Sequence, residues 1–101
     1  MSAALEFLPE ARGDAEEAVR FYELRLLGLG VRFRTEVENV CGAILRQPLL
    51  WRERRGGFRR VNIPGFPYYV AYFIRCERIF VAAVGHGSRH PDYWKRRQLP
   101  A

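Results

Sequence analysis

The sequence predicts an α+β domain in which a short N-terminal strand and a helical hairpin pack on a small antiparallel β-sheet. Apolar residues recur at helical spacing through the first half of the chain, whereas in the second half they alternate or form aromatic and β-branched runs. A length of 101 residues suits one hydrophobic core. We therefore expect residues 1–101 to form one domain.

The first predicted elements are a strand and a helix. The segment Ala3 to Leu8 is mostly apolar and is expected to form the strand. Pro9 follows, and proline suits the first turn of a helix because its missing N–H needs no partner there. Apolar residues then recur at helical spacing: Ala11, Ala15, Ala18, Val19, Tyr22 and Leu26.

A second helix is expected directly after the first. Gly28 and Gly30 end the first helix and permit a tight reversal. Apolar residues return at steps of three and four, at Leu29, Phe33, Val37, Val40 and Ile44. Pro48 then stops the helix. The two helices are predicted to form an antiparallel hairpin.

The second half of the chain predicts a three-stranded antiparallel meander. Alternation over 58–63 indicates the first strand, and Pro64-Gly65 marks a turn. The aromatic and β-branched runs at 67–75 and 79–84 indicate two more strands. Residues 92–97 are expected to form a short helical or irregular tail. The helices would cover one face of the sheet, and the tail would cover the other face in part or leave it open.

Charge is divided unevenly along the chain, whose net charge is +6. Residues 1–50 carry six arginines against eight acids, a net charge of −2, whereas residues 51–101 carry ten arginines and Lys95 against three acids, a net charge of +8. The second half also holds most of the aromatic residues. Codon composition explains the preference for arginine over lysine but not this asymmetry, which favours a face for a polyanion or an acidic partner.

Several classes of protein and site are excluded by simple patterns. The longest uncharged run, Val61–Ile74, contains Pro64 and Pro67 and does not span a bilayer. The N-terminus lacks the features of a signal peptide. Cys41 and Cys76 make no disulfide framework, and the spacing of histidines and cysteines fits no zinc site. We expect a reduced, cytoplasmic protein without a metal or cofactor.

The densest basic run lies just before and within the first strand of the meander. Arginine can bind phosphates through bidentate, charge-assisted hydrogen bonds, although the run can equally be a solvated loop and strand edge. Gly56-Gly57 in its middle can allow a ligand to approach the backbone or can simply form a turn. The run comprises Arg52, Arg54, Arg55, Arg59 and Arg60.

Two further segments could carry chemistry. The aromatic residues of 66–72 can stack on bases of single-stranded nucleic acid, or alternate rings can belong to the core. The segment 86–97 holds His86 and His90, Tyr93, Ser88 and several cations. Histidine can act as a general acid or base near neutral pH. Alternatively, His86 and His90 can each be a hydrogen-bonded or surface side chain without a catalytic role. No triad or metal site can be assigned from the spacing.

Taken together, these segments resemble the RelE/ParE superfamily of bacterial type II toxin–antitoxin toxins, which includes plasmid stabilisation proteins. The resemblance covers nearly the whole chain and rests on the order and spacing of several motifs. They are Pro9-Glu10-Ala11, Phe21-Tyr22-Glu23, Gly28-Leu29-Gly30-Val31-Arg32-Phe33, Gln47-Pro48, Arg59-Arg60, Phe66–Tyr72 and His86–Trp94.

The resemblance implies a small growth-inhibiting toxin that a cognate antitoxin neutralises. Such antitoxins commonly supply an acidic, partly disordered segment, which the basic half of the chain would attract. The groove between the helical hairpin and the sheet is its expected seat. The residues expected to contact the target or the antitoxin are Arg52, Arg54, Arg55, Arg59, Arg60, Tyr69, Trp94, Arg96 and Arg97.

The superfamily implies two alternative activities. ParE-like members inhibit DNA gyrase, and RelE-like members cleave messenger RNA on the ribosome without a metal. In the second case the catalytic residues would be Arg59, Arg60, His86, Arg89 and Tyr93. Gly87 stands where RelE-like members carry a second arginine, and Lys95 is the only lysine, which favours the ParE-like side. A third alternative is a non-toxic member that only binds antitoxin.

Overall fold

A computed structural model of the chain describes residues 4–100. These residues form four strands and three helices, in the order β1 (Ala4–Phe7), α1 (Pro9–Arg25), α2 (Leu29–Arg46), β2 (Arg59–Asn62), β3 (Tyr68–Arg75), β4 (Arg78–His86) and α3 (Asp92–Lys95). The predicted α+β class is confirmed, and so is each predicted strand and helix within these residues; Ala3, predicted as the start of the first strand, lies outside them. Over residues 4–100, no helix is both long enough and apolar enough to cross a membrane.

The helical hairpin is held at its turn by a carboxylate of the first helix. Glu23 accepts hydrogen bonds from the backbone N–H groups of Gly28, at 2.8 Å, and Gly30, at 2.9 Å. These bonds satisfy amide donors at the start of α2 that have no partner within the helix, and they lower the pKa of Glu23. Leu26 is the exception to the predicted helical pattern, because it caps α1 and its side chain is exposed.

The four strands form one mixed sheet in the order β1-β4-β3-β2. The predicted antiparallel meander is confirmed in β2, β3 and β4. The N-terminal strand pairs with β4 in parallel, from Ala4 opposite Arg78 to Phe7 opposite Val81. The connection that a parallel pair requires therefore runs through both helices, β2 and β3, which the strand pattern alone could not reveal.

Each face of the sheet is covered by a different part of the chain. On one face Tyr68 contacts Phe33 of α2, with ring centroids 5.1 Å apart. On the other face the C-terminal segment packs through Trp94, whose ring lies 4.9 Å from that of Phe58. The Trp94 indole N–H also donates a hydrogen bond to the Tyr69 hydroxyl at 2.8 Å. The expected cover from the tail is thus built on one buried tryptophan.

Candidate functional site

A positively charged cleft opens on the sheet face that the C-terminal segment covers. We call it the basic cleft. Its volume is about 340 Å³. It is lined by Arg52, Arg54, Arg55, Phe58, Arg60, Tyr69, Pro91, Trp94 and Lys95. The structure therefore brings four of the five arginines of the basic run together with the only lysine of the chain.

A tight loop before β2 positions the arginines at the rim of the basic cleft. The N–H of Arg54 donates to the carbonyl of Phe58 at 2.7 Å, and the N–H of Gly57 donates to the carbonyl of Arg54 at 2.9 Å. Gly56 and Gly57 both have positive φ, 98° and 88°, which glycine adopts without steric cost. Of the two alternatives for this glycine pair, a ligand approach or a turn, the structure shows the turn.

Buried aromatic rings form the floor of the basic cleft and hold two of its cations. The Arg60 guanidinium lies 3.9 Å from the centroid of the Tyr69 ring, and the Lys95 ammonium lies 5.5 Å from that of Phe58. Such cation–π contacts stabilise the charged side chains in place. Tyr69 and Trp94 are each only 1% exposed. Their rings therefore belong to the core and offer no open face for a base to stack on.

The positive charge of the basic cleft is not neutralised by neighbouring acids. Among residues 4–100, no carboxylate oxygen lies within 4 Å of the cationic nitrogens of its four arginines and Lys95. The two acids nearest in sequence contact other groups, since Glu53 pairs with Arg59 at 3.5 Å and Asp92 with His90 at 3.4 Å. The cations of the basic cleft therefore have no carboxylate partner among the described residues.

Arg59 stands apart from its sequence neighbour Arg60. Its guanidinium donates to the carbonyl of Trp51 at 2.6 Å and contacts Glu53, and its side chain is only 17% exposed. Alternation along β2 places the two arginines on opposite faces of the sheet, with Arg59 opposite Tyr72 and Arg60 opposite Ala71. The alternation of this strand in the sequence already implied the separation, and the structure confirms it.

A second, smaller cavity gathers three of the residues predicted for the nuclease alternative. His86, Arg89 and Tyr93 line a space of about 50 Å³ together with Asp14, Glu17, Tyr68 and Val84. We call it the tyrosine cavity. The Arg89 guanidinium covers the Tyr93 ring at 3.7 Å. Arg59 and Arg60 do not line this cavity, so the five candidate catalytic residues do not form one site.

His86 and Tyr93 each have defined surroundings in the tyrosine cavity. The Ser88 N–H donates to Nδ1 of His86 at 3.1 Å, which requires a lone pair on Nδ1 and places the proton of the neutral ring on Nε2. Burial, assisted by the negative charge of Asp14, raises the pKa of Tyr93 to about 12. The Tyr93 phenol therefore stays protonated at neutral pH.

Arg97, predicted as a contact residue, is engaged within the protein. Its guanidinium donates to both carboxylate oxygens of Asp14, at 2.7 and 3.0 Å, and to the carbonyl of Ala82 at 2.9 Å. The hydrogen bond to Asp14 raises the pKa of Arg97. Its neighbour Arg96 is exposed and lines neither the basic cleft nor the tyrosine cavity. The structure thus gives the two residues different surroundings.

Asp14 and Gly85 shape this region and were missed by the sequence reasoning. Asp14 looked like one more acid early in a helix, and no local pattern links it to Arg97, 83 residues away. A Cβ on Gly85 would lie 2.7 Å from the Tyr69 ring and 2.9 Å from the Tyr93 hydroxyl. Only glycine leaves room for both tyrosines, a requirement that becomes visible once the register of β4 is known.

A third depression lies between the helical hairpin and β1, and we call it the hairpin groove. Its volume is about 300 Å³, and its lining combines apolar side chains with two acids and two arginines. The lining residues are Phe7, Arg12, Ala15, Glu16, Val19, Arg34, Val37 and Glu38. β1 is at the edge of the sheet and contributes Phe7 to the lining of this groove.

Residues 4–100 contain no group of three or more histidine, cysteine or acidic side chains placed to hold a metal ion. Cys41 is half-buried, and burial raises its pKa to about 11. Cys76 is exposed in the turn between β3 and β4. Free cysteines are usually small apolar core residues, and Cys76 does not have that role.

Comparison with known proteins gives one family and one fold. Residues 5–91 match the family model described as the ParE toxin of the type II toxin–antitoxin system parDE. A chain from the chromosomal ParDE toxin–antitoxin system of P. aeruginosa shares the fold with a TM-score of 0.73 and 12% sequence identity, over 83% of this chain and 95% of that chain. No curated protein sequence is significantly similar.

Proposed function

The chain belongs to the ParE toxin family of type II toxin–antitoxin systems, and from this premise we propose that it inhibits DNA gyrase by binding. A cognate antitoxin is the partner that such a system supplies. The observation that carries the proposal is the separation of the residues that a nuclease would need: Arg59 and Arg60 lie on opposite faces of the sheet, and neither lines the cavity of His86 and Tyr93.

The chemistry of the tyrosine cavity also favours a binding inhibitor over a nuclease. A general base works best with a pKa near the operating pH, whereas the pKa of Tyr93 is raised to about 12. Asp14 and Glu17 line the same small cavity. Asp14 is paired with Arg97, so Glu17 is the carboxylate that would repel the phosphate that a ribonuclease must hold.

The hairpin groove is the proposed seat of the antitoxin. Its apolar floor can anchor one side of a segment that folds on binding, and the exposed edge of β1 can pair with an added strand. The positive charge of residues 51–101 would attract an acidic segment and speed its association. At the groove itself Arg12 and Arg34 are matched by two acids, so the attraction comes from the basic half of the chain.

The experiment compares two variants of the tyrosine cavity in a DNA supercoiling assay with purified gyrase. We expect His86→Ala and Tyr93→Phe to inhibit gyrase within a few-fold of the unchanged chain, because neither group has a chemical role in the proposal. Tyr93→Phe retains the ring that Arg89 covers. If the purified chain does not inhibit gyrase at any concentration up to that of the enzyme, the gyrase target is refuted.

The clustering of His86, Arg89 and Tyr93 keeps the RelE-like nuclease as a second candidate. In that case the same two variants should lose ~10²–10⁴-fold of messenger cleavage on ribosomes, since this is what acid–base groups usually contribute. A chain that forms a complex with its antitoxin but affects neither gyrase nor ribosomes would be a non-toxic member of the family.

A further inference from the structure

We propose that the basic cleft binds the phosphate backbone of duplex DNA. The binding itself is independent of the target, but the role we give it rests on the proposed function: the cleft would hold the DNA segment that gyrase is processing. The toxin would then recognise the complex of enzyme and DNA rather than the enzyme alone.

The basic cleft holds a high density of unpaired positive charge. Four arginines and Lys95 line one cleft of about 340 Å³, and no carboxylate of residues 4–100 lies within 4 Å of their charged nitrogens. Close like charges repel each other in the free protein, and a polyanion relieves that repulsion. Arginine forks also match phosphate oxygens in a bidentate geometry.

The basic cleft combines cations that are fixed over aromatic rings with cations that are free to adapt. Arg60 and Lys95 are held over the buried rings of Tyr69 and Phe58, so they are already oriented before a ligand arrives. Arg52 and Arg55 are exposed at the rim and can reach successive phosphates along a backbone. This arrangement suits an extended ligand with repeated negative charges.

The buried aromatic floor of the cleft favours a duplex over a single strand. Proteins that hold single-stranded nucleic acid stack its bases on accessible aromatic rings. The aromatic floor of the cleft is closed, since Tyr69 and Trp94 are each 1% exposed and their hydroxyl and indole groups bond to each other. Contacts to backbone phosphates remain, and these position a protein on a duplex without reading its sequence.

An acidic peptide is the competing occupant, and the structure favours it less. A peptide that folds on binding needs apolar anchors besides its charges. The aromatic side chains of the cleft, Phe58, Tyr69 and Trp94, are all buried, which leaves Pro91 as its one partly exposed apolar residue. The hairpin groove, by contrast, has the mixed apolar and charged lining that a peptide requires.

The test is fluorescence anisotropy with a labelled 20-base-pair DNA duplex at salt concentrations between 50 and 200 mM. If about four phosphates are neutralised, the affinity should fall ~100-fold across this range, because the logarithmic slope is about −0.9 for each phosphate. The variant Arg52→Gln/Arg55→Gln should reduce the steepness of the slope by about 2. Both side chains are exposed, so the fold should be unaffected.

The matched control is Arg12→Gln/Arg34→Gln, which removes the same charge from the hairpin groove. It should leave the slope unchanged. The proposal is overturned if both double variants change the slope equally, if the duplex does not bind at 50 mM salt, or if single-stranded RNA or an oligoglutamate peptide binds the cleft more tightly than the duplex. Gyrase inhibition without DNA binding would refute this inference alone, and DNA binding without gyrase inhibition would refute the proposed target alone.

Discussion

Asp14 and Arg97 join the first helix to the end of the chain through two hydrogen bonds, at 2.7 and 3.0 Å. Their side chains are only 16% and 14% exposed. Asp14 Oδ2 also accepts a hydrogen bond from the backbone N–H of Val84 in β4 at 3.1 Å. One carboxylate therefore links α1, β4 and the C-terminal segment, which in turn covers the sheet face that carries the basic cleft.

Replacing Arg97 by methionine should destabilise the protein by about 3 kcal/mol, because the Asp14 carboxylate would remain largely buried without its partner. Urea unfolding of the full chain measures this change. The control is Arg78→Met, which breaks the ion pair with Glu6 at the surface, where both side chains are about half exposed and the expected loss is under ~1 kcal/mol. Equal losses in the two variants would contradict the structural role given to Arg97.

At the scale of single residues, the sequence identified groups but not their surroundings. It grouped Arg59 and Arg60 with the other candidate catalytic residues, whereas neither arginine lines the tyrosine cavity. It included Tyr69 and Trp94 among the contact residues, whereas both are buried, and Tyr69 lies beneath the Arg60 guanidinium. The surroundings depend on partners far away in the chain, and these partners leave no local pattern.

At the scale of elements, the helical hairpin depends on a close approach of its two helices. A Cβ on Gly30 would lie 2.4 Å from the carbonyl oxygen of Val19 and 2.9 Å from the Cβ of Glu23. Gly30 therefore allows α2 to pack against α1 and allows its own N–H to reach the Glu23 carboxylate. Both contacts lie at the turn that orients the hairpin groove.

Gly30→Ala should destabilise the protein by about 2 kcal/mol, since the two helices must move apart to admit the methyl group. The matched control is Gly13→Ala in α1, where a Cβ has no neighbour within 4 Å. That substitution should be neutral or stabilise the helix by up to ~1 kcal/mol, because alanine has the higher helix propensity. Thermal unfolding followed by circular dichroism measures both, and a stabilised Gly30→Ala variant would contradict the packing described.

Most element types could be predicted because their signals are local. Spaced apolar residues marked α2, and Phe33, Val37, Val40 and Ile44 are all buried in it. The parallel pairing of β1 with β4 could not be predicted, because a four-residue strand carries no signal for its partner or its direction. The same limit applied to Gly85, whose necessity depends on which tyrosines lie across the sheet.

At the scale of the whole molecule, the basic cleft and the hairpin groove differ in their balance of charge. The basic half of the sequence supplies the basic cleft, as its net charge of +8 indicated, whereas the hairpin groove has a mixed lining. A toxin with two partners can thus offer each partner a different chemistry. In our account the antitoxin occupies the hairpin groove, and the target complex contacts the basic cleft.

The most direct test of the proposed target is the order in which synthesis stops in bacteria that express this chain without an antitoxin. Labelled thymidine and a labelled amino acid would be followed side by side in the first minutes after induction. Inhibition of gyrase predicts that thymidine incorporation falls first while translation continues. An earlier fall in amino-acid incorporation, accompanied by cleaved messengers on ribosomes, would contradict the account and assign the chain to the nucleases.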